Sequence, residues 1–260
     1  MAIRHFKLSP SVKTYGDPEN LTTDADVELV VCCNRVDVHY PTVVSILRAG
    51  KRVFVEWPLA ESVDKARELV KIAEEAGVDS RKCLMGLQSR VSPLTLHIKN
   101  VLESGLIGTV LSSQATAFGH LLPRGSLPET LKYFTERKNT SGNSIFGVKG
   151  HALDYMHHVL GEFGDFDARM QIQRPTLKLF DVSRNTTGFV ATDVPDLFSI
   201  YGKLKQSGGK IKIAAGATFT QTFRLGPPFK SQPATMWVYC RDLGRAFHCG
   251  SGTPPPLTHG

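Results

Sequence analysis

Hydrophobic positions mark out a repeated pattern in the first hundred residues. The run Val27-Glu28-Leu29-Val30-Val31-Cys32-Cys33 is short, apolar and β-branched, the wording of a parallel strand covered on both faces. Between Tyr40 and Ala49, Val43, Val44, Ile46 and Leu47 recur at helical spacing, and Gly50 suits the left-handed residue that closes a helix. Arg52 to Glu56 reads as a second strand. Ser62 is an apt N-cap for a second helix, with Ala66, Leu69, Val70, Ala73 and Ala76 on one face and Gly77 at its end. A third unit follows: a strand from Cys83 to Leu87, Ser92-Pro93 opening a helix through Leu102, and Gly105 closing it. Three alternations of strand and helix predict a parallel sheet with crossover helices.

After Gly108 the period changes. Val110 to Phe118, Phe166 to Gln173, Phe198 to Leu204, Lys210 to Ala214 and Thr235 to Tyr239 are strand-like, and His151 to Leu160 is the one convincing helix among them. That order predicts a mostly antiparallel sheet with a helix on one face. The tail Thr253-Pro254-Pro255-Pro256 cannot pair in a sheet.

Composition narrows the function classes. At 260 residues and 41% hydrophobic the chain can bury a sizeable core. Its net charge of +7 lies wholly in the last quarter, where Lys203, Lys205, Lys210, Lys212, Arg224, Lys230, Arg241 and Arg245 face Asp242 alone. Those cations sit on strand-like segments rather than on a recognition helix or among exposed aromatics, so no nucleic-acid partner is expected. Five cysteines without a C-x-x-C pair fit reduced thiols of a cytoplasmic protein. No apolar run approaches the roughly 18 residues of a membrane helix, and the N-terminus has no signal-peptide core, so no membrane partner is expected either.

Several motifs occur in one order. Asp26 to Val31 leads to Asn34 and His39, followed by Ala49-Gly50-Lys51-Arg52-Val53-Phe54-Val55-Glu56-Trp57-Pro58-Leu59-Ala60. Gly86-Leu87-Gln88-Ser89-Arg90, Ser104-Gly105-Leu106-Ile107-Gly108, Gly150-His151-Ala152-Leu153-Asp154 and Val194-Pro195-Asp196 come next. Over roughly residues 15–240 the chain resembles the glucose–fructose oxidoreductase/inositol dehydrogenase family (Gfo/Idh/MocA). The Glu-Trp-Pro-Leu wording most resembles that family's fungal galactose-repressor-like branch, which is non-catalytic and binds a dinucleotide. The resemblance implies an α/β fold. An incomplete Rossmann-like parallel sheet over residues 1–108 is followed by an α+β domain over 109–260, with a mostly antiparallel sheet, for substrate or dimerisation.

The departures from the family carry the functional expectation. No G-x-G-x-x-G stands upstream of Asp26 to hold a pyrophosphate, so the first βαβ unit is expected to be absent. Family dehydrogenases use the lysine of Glu-Lys-Pro and an Asp four residues before a His; Trp57 and Gly147 stand in those places. Neither indole nor glycine can replace an ammonium or a carboxylate. These changes point to no cofactor, and to a hydrophobic small metabolite processed by non-redox acid/base chemistry, as an isomerase, lyase or cyclase. An NAD- or NADP-dependent oxidoreductase and a non-catalytic regulator are the alternatives.

The candidate catalytic residues are Lys149, His151 and Asp154, with Trp57, Arg90, His120 and Tyr155 as substrate contacts. His151, Asp154, Tyr155 and His158 share one helical face, while Lys149 stands just ahead of it. A His-Asp-His metal site on that face is conceivable but commonplace by chance, and no metal is expected. Should a dinucleotide bind, Asn34, His39 and Glu56 are its candidate contacts. Without the first unit, the strand at Val27 to Cys33 is left with an unpaired apolar edge, covered by residues 1–22 or by a second chain; a homodimer is expected.

Overall fold

The computed structural model describes residues 9, 11–79, 81, 83–119, 125–136, 147, 149–205, 209–225, 235–240 and 246–250. The chain divides into two compact units, Met1–Gly86 and Leu87–Gly260.

The first unit begins with a short helix α1 (Pro18–Thr23), capped by Asp17, whose carboxylate accepts from the Asn20 N–H at 2.7 Å. Strand β1 (Leu29–Cys32), a 3₁₀ turn (Val36–Val38), helix α2 (His39–Arg48), β2 (Arg52–Glu56), α3 (Val63–Glu75) and β3 (Cys83–Gly86) follow. Ser62 caps α3 as expected, its hydroxyl accepting from the Lys65 N–H at 3.2 Å. The strands are all parallel, in the order β1-β2-β3, with Val30 opposite Val53 and Phe54 opposite Leu84. Val30, Cys32, Val53 and Val55 point to one face, where Ile46 and Leu47 of α2 and Leu69 and Ile72 of α3 close over them.

The other face differs from expectation. Leu29, Val31 and Leu84 are half or more exposed, at 50%, 56% and 59%, so the sheet is covered on one side where the β-branched wording predicted two. Residues ahead of β1 are tied down at its entrance. The Lys13 ammonium lies 2.8 Å from both Asp24 and Asp26, and the Tyr15 hydroxyl donates to Asp24 at 2.7 Å. Among the described residues no strand pairs with the outer edge of β1.

The second unit opens with helix α4 (Pro93–Glu103), then β4 (Val110–Gly119), β5 (Ser126–Pro128), helix α5 (Gly150–Leu160) and β6 (Phe163–Gln171). Strands β7 (Thr176–Phe180), β8 (Thr186–Ala191), β9 (Leu197–Leu204), β10 (Ile213–Leu225), β11 (Thr235–Cys240) and β12 (Ala246–Gly250) complete it. Six of these form one sheet, ordered β12-β11-β4-β10-β9-β6 and antiparallel except between β4 and β10. The smaller sheet is β5-β7-β8, with β5 parallel to β7. Ile98 and Leu102 of α4 and Met156, Val159 and Leu160 of α5 pack against Ala115, Leu204 and Phe219 of the large sheet. The fold class is therefore that read from the sequence. The units meet at Gly86 rather than at residue 108, because α4 buries its apolar face in the second core. Among the described residues no helix is long and apolar enough to cross a membrane.

Candidate functional site

Parallel sheets offer ligands the loops at the carboxyl ends of their strands. In the first unit, β1 and β2 run side by side with Cys32 opposite Val55, which brings Cys33 and Asn34 to the level of Glu56 and Trp57. Asn34 and Glu56 are exposed and Trp57 is half-buried. The Asn34 amide oxygen accepts from the Cys32 thiol at 3.2 Å. His39 is only 1% exposed, and its ring nitrogens Nδ1 and Nε2 each stand 2.8 Å from a backbone carbonyl oxygen, of Pro58 and of Asn34. It clamps the turn after β1 to the turn after β2, beside the cis Trp57–Pro58 peptide. Of the three candidate dinucleotide contacts, Asn34 and Glu56 face outward and His39 positions the loops that carry them.

The second unit places its polar residues around α5. Lys149, immediately ahead of the helix, is 2% exposed, and its ammonium has no hydrogen-bond partner among the described residues. Its Nζ stands over the Phe198 ring on β9, 4.9 Å from the centroid. Burial lowers its pKa from 10.5 to about 8, the charge of Asp196 offsetting part of the effect. Asp196 is itself buried just before β9; it accepts from the Gln173 N–H at 2.6 Å and is paired with Arg174. Neither Asp196 nor Phe198 was a sequence candidate. Their one legible signal is Val194-Pro195-Asp196 leading into an apolar strand.

Asp154 is held by Arg90. The Arg90 guanidinium donates from Nε at 2.8 and 3.0 Å to the two carboxylate oxygens, and from Nη2 to one of them. The hydrogen bonds to Asp154 raise the pKa of the Arg90 guanidinium. A residue read as catalytic and one read as a substrate contact are thus joined to each other, and together they anchor α5 to the 3₁₀ turn Gln88–Val91. Tyr155 packs beside the large core, and His151 is half-buried. His157 stands edge-on to Phe163 at 5.1 Å, and His158 lies 3.4 Å from the Lys99 ammonium. Burial lowers the pKa of both histidines. Among the described residues no three histidine, cysteine or acidic side chains gather as metal ligands. His120 lies outside the described residues.

Two family models match the chain. Residues 2–81 match "Oxidoreductase family, NAD-binding Rossmann fold", and residues 93–225, half of the chain, match "Gal80p, C-terminal domain". The chain belongs to the glucose–fructose oxidoreductase/inositol dehydrogenase family, with a second domain of the Gal80p type. Among its relatives is "Dehydrogenase aclE" of Aspergillus oryzae, 32% identical over 200 residues, which are 75% of this chain and 52% of that protein. The galactose/lactose metabolism regulatory protein GAL80 of Saccharomyces cerevisiae is 28% identical over 88% of this chain and 51% of its own length. The chain thus spans about half the length of these curated relatives. A solved super-repressor mutant of S. cerevisiae Gal80p superposes with a TM-score of 0.80 at 24% identity, over 96% of this chain and 62% of that one. Levoglucosan dehydrogenase in complex with NADH and levoglucosan gives 0.72 at 18% identity, over 92% and 58%.

The family corrects one expectation. The altered motifs predicted no cofactor, yet residues 2–81 match the NAD-binding model, and a neighbour in fold is solved with NADH. Loss of the Glu-Lys-Pro lysine bears on proton transfer, and it does not remove the strand ends that a dinucleotide lies across. With that expectation reversed, the non-redox isomerase, lyase or cyclase loses its premise. The family joins dehydrogenases and Gal80 regulators on one fold.

Proposed function

We propose that the protein is an NAD(P)-dependent oxidoreductase of a small hydroxylated or carbonyl metabolite, with Lys149 as its proton-handling residue. The observation that carries this reading is the buried ammonium at the head of α5, without a hydrogen-bond partner among the described residues. An unpaired buried lysine is costly, and enzymes retain that cost where an amine near neutrality is needed. With a pKa of about 8, Lys149 is in part the free amine at working pH. In that form it accepts the proton of a substrate hydroxyl, and as the ammonium it returns a proton to a carbonyl oxygen.

The first unit fits the edge of a dinucleotide through exposed Asn34 and Glu56 at the carboxyl ends of adjacent parallel strands. Bound there, the cofactor supplies hydride transfer. Of the six positive-φ glycines among the described residues, Gly50, Gly77, Gly105 and Gly161 close helices and none opens one, so a pyrophosphate cradle is not part of this set. Trp57 in place of the usual lysine favours a second reading, a non-catalytic regulator of the Gal80p kind that keeps the dinucleotide as a signal.

Titrating the protein with NADH and NADPH, by nucleotide fluorescence and calorimetry, tests the shared premise. Binding is expected, weakened about tenfold in Glu56→Ala; no response to either nucleotide overturns both readings. Turnover of NAD(P)⁺ with a panel of sugars and polyols then separates them. Lys149→Met is expected to retain NADH binding and lose roughly 10²-fold or more in rate. A wild-type rate in that variant removes Lys149 from the chemistry.

A further inference from the structure

The large sheet of the second unit ends in strand β6, which pairs with β9 on one side; among the described residues no strand meets its other edge. Every residue of β6 from Gly164 to Gln171 is exposed. Successive side chains of a strand point to opposite faces. On the face shared with α5, Met170 stands opposite Phe198 and Ala168 opposite Ile200. Phe198 and Ile200 pack with Ala152 and Leu153 of that helix, but Phe166 and Met170 remain 58% and 50% exposed, so the helical cover stops short of the edge. The opposite face of β6 carries Asp165, Asp167 and Arg169. Among the described residues the ion pairs of this unit are Arg90–Asp154, Arg174–Asp196 and Lys205–Glu162, which leaves those three charges unpaired.

An exposed edge is a template for another strand, and its side chains decide which strand fits. A second copy adds antiparallel about a twofold axis normal to the sheet, which keeps each face on its own side and sets one residue opposite itself. With Asp165, Asp167 or Arg169 on that axis, like charges meet. With Phe166 there, Asp165 meets Asp167; with Met170 there, Arg169 meets Gln171 and Asp167 meets Gln173. Only Ala168 on the axis matches the strand to itself: Asp167 meets Arg169 twice, Phe166 meets Met170 twice, and a small side chain lies at the centre. Cross-strand pairs of opposite charge, and thioethers beside aromatic rings, both stabilise such a pairing.

We infer that the free edge of β6 is an interface for a second copy of this chain, β6 against β6 in the register centred on Ala168. The contact is isologous, joins two large sheets into one, and is separate from the edge of β1. Backbone hydrogen bonds and exposed ion pairs over one strand make it a weak contact, filled at high concentration.

Sedimentation velocity of the full chain tests this. The mass of the wild-type protein at about 0.5 mM should rise above its value at tens of micromolar, as a weak contact fills. Asp167→Arg and Arg169→Asp each set like charges across the axis, and each alone should weaken the added association at least about tenfold. Their equimolar mixture again places opposite charges in both cross-strand pairs, and should associate as the wild-type protein does. Both positions are exposed, so both variants should keep the wild-type melting temperature. A wild-type mass that does not rise with concentration overturns the assignment. So does a rise that survives either charge reversal, or a mixture that stays as dissociated as its components.

Discussion

An ammonium removed from water without a counter-ion costs several kcal/mol, and Lys149 carries that cost at the head of α5. The fall of its pKa from 10.5 to about 8 corresponds to roughly 3 kcal/mol. Below about pH 8 the folded and unfolded chains both hold the proton, and the penalty on folding is complete. Between about 8 and 10.5 the folded chain has released the proton while the unfolded chain still binds it, so stability rises with pH across that window. Lys149→Met, with similar length and no charge, should gain roughly 2–3 kcal/mol at pH 7 and lose the rise. Urea unfolding at pH 7, 8.5 and 10 measures both; a wild-type profile as flat as the variant's removes the buried cation from the account. Residue identity and spacing made Lys149 a candidate, but its isolation depends on Phe198 and Asp196, some fifty residues away in the chain. The same distance hid the fate of Asp154: nothing local shows that Arg90, in another element, would hold its carboxylate.

Elements were more legible than side-chain partnerships, because caps and closing glycines act within a few residues. Ser62, Ser92, Gly50 and Gly77 end or begin helices where their chemistry requires. The failures have physical causes. Strands β7 and β8 are short: β7 buries Leu179 and Phe180 within five residues, and β8 leaves Phe189 71% exposed, so neither gave a run long enough to read as a strand. Strand β10 runs from Ile213 to Leu225, where the wording suggested a stop at Ala214. Gly216, at φ +76°, lies where the pairing with β4 shifts register between Ile213 and Thr218, and an alanine- and glycine-rich bulge reads as a break. Gly202 shows what a strand glycine can do without special backbone angles. A Cβ there would stand 2.5 Å from the Asp165 carbonyl oxygen and 2.6 Å from the Phe163 ring. Backbone on one side and a packed ring on the other leave little room to yield, so Gly202→Ala should cost about 2–3 kcal/mol. Loss of that order in urea, with a matched loss of β6 amide protection, is the expected result. A neutral substitution would mean that β6 can move away from β9.

At the scale of the molecule, the parallel sheet poses a question that its own unit does not answer. One face is sealed by α2 and α3; the other presents Leu29, Val31 and Leu84, and β1 offers a free edge among the described residues. Among the described residues ahead of β1, Lys13 and Tyr15 are tied to Asp24 and Asp26 at its entrance, and none pairs with its edge. Apolar side chains beside unpaired backbone groups favour association, and we expect the protein to pair with a second copy through this edge. Light scattering after size exclusion at tens of micromolar should return the dimer mass. Val31→Lys changes an exposed position on the bare face, so the unit should stay folded while the dimer dissociates. A monomeric wild-type protein, or a dimer indifferent to Val31→Lys, would move any association to another surface. The bare edge was implied by the family resemblance, in which the strand at Val27 to Cys33 pairs with a first strand. The sequence could not announce that only one face is covered, because a β-branched run reads alike whether its second face meets a helix of its own chain, another subunit, or water.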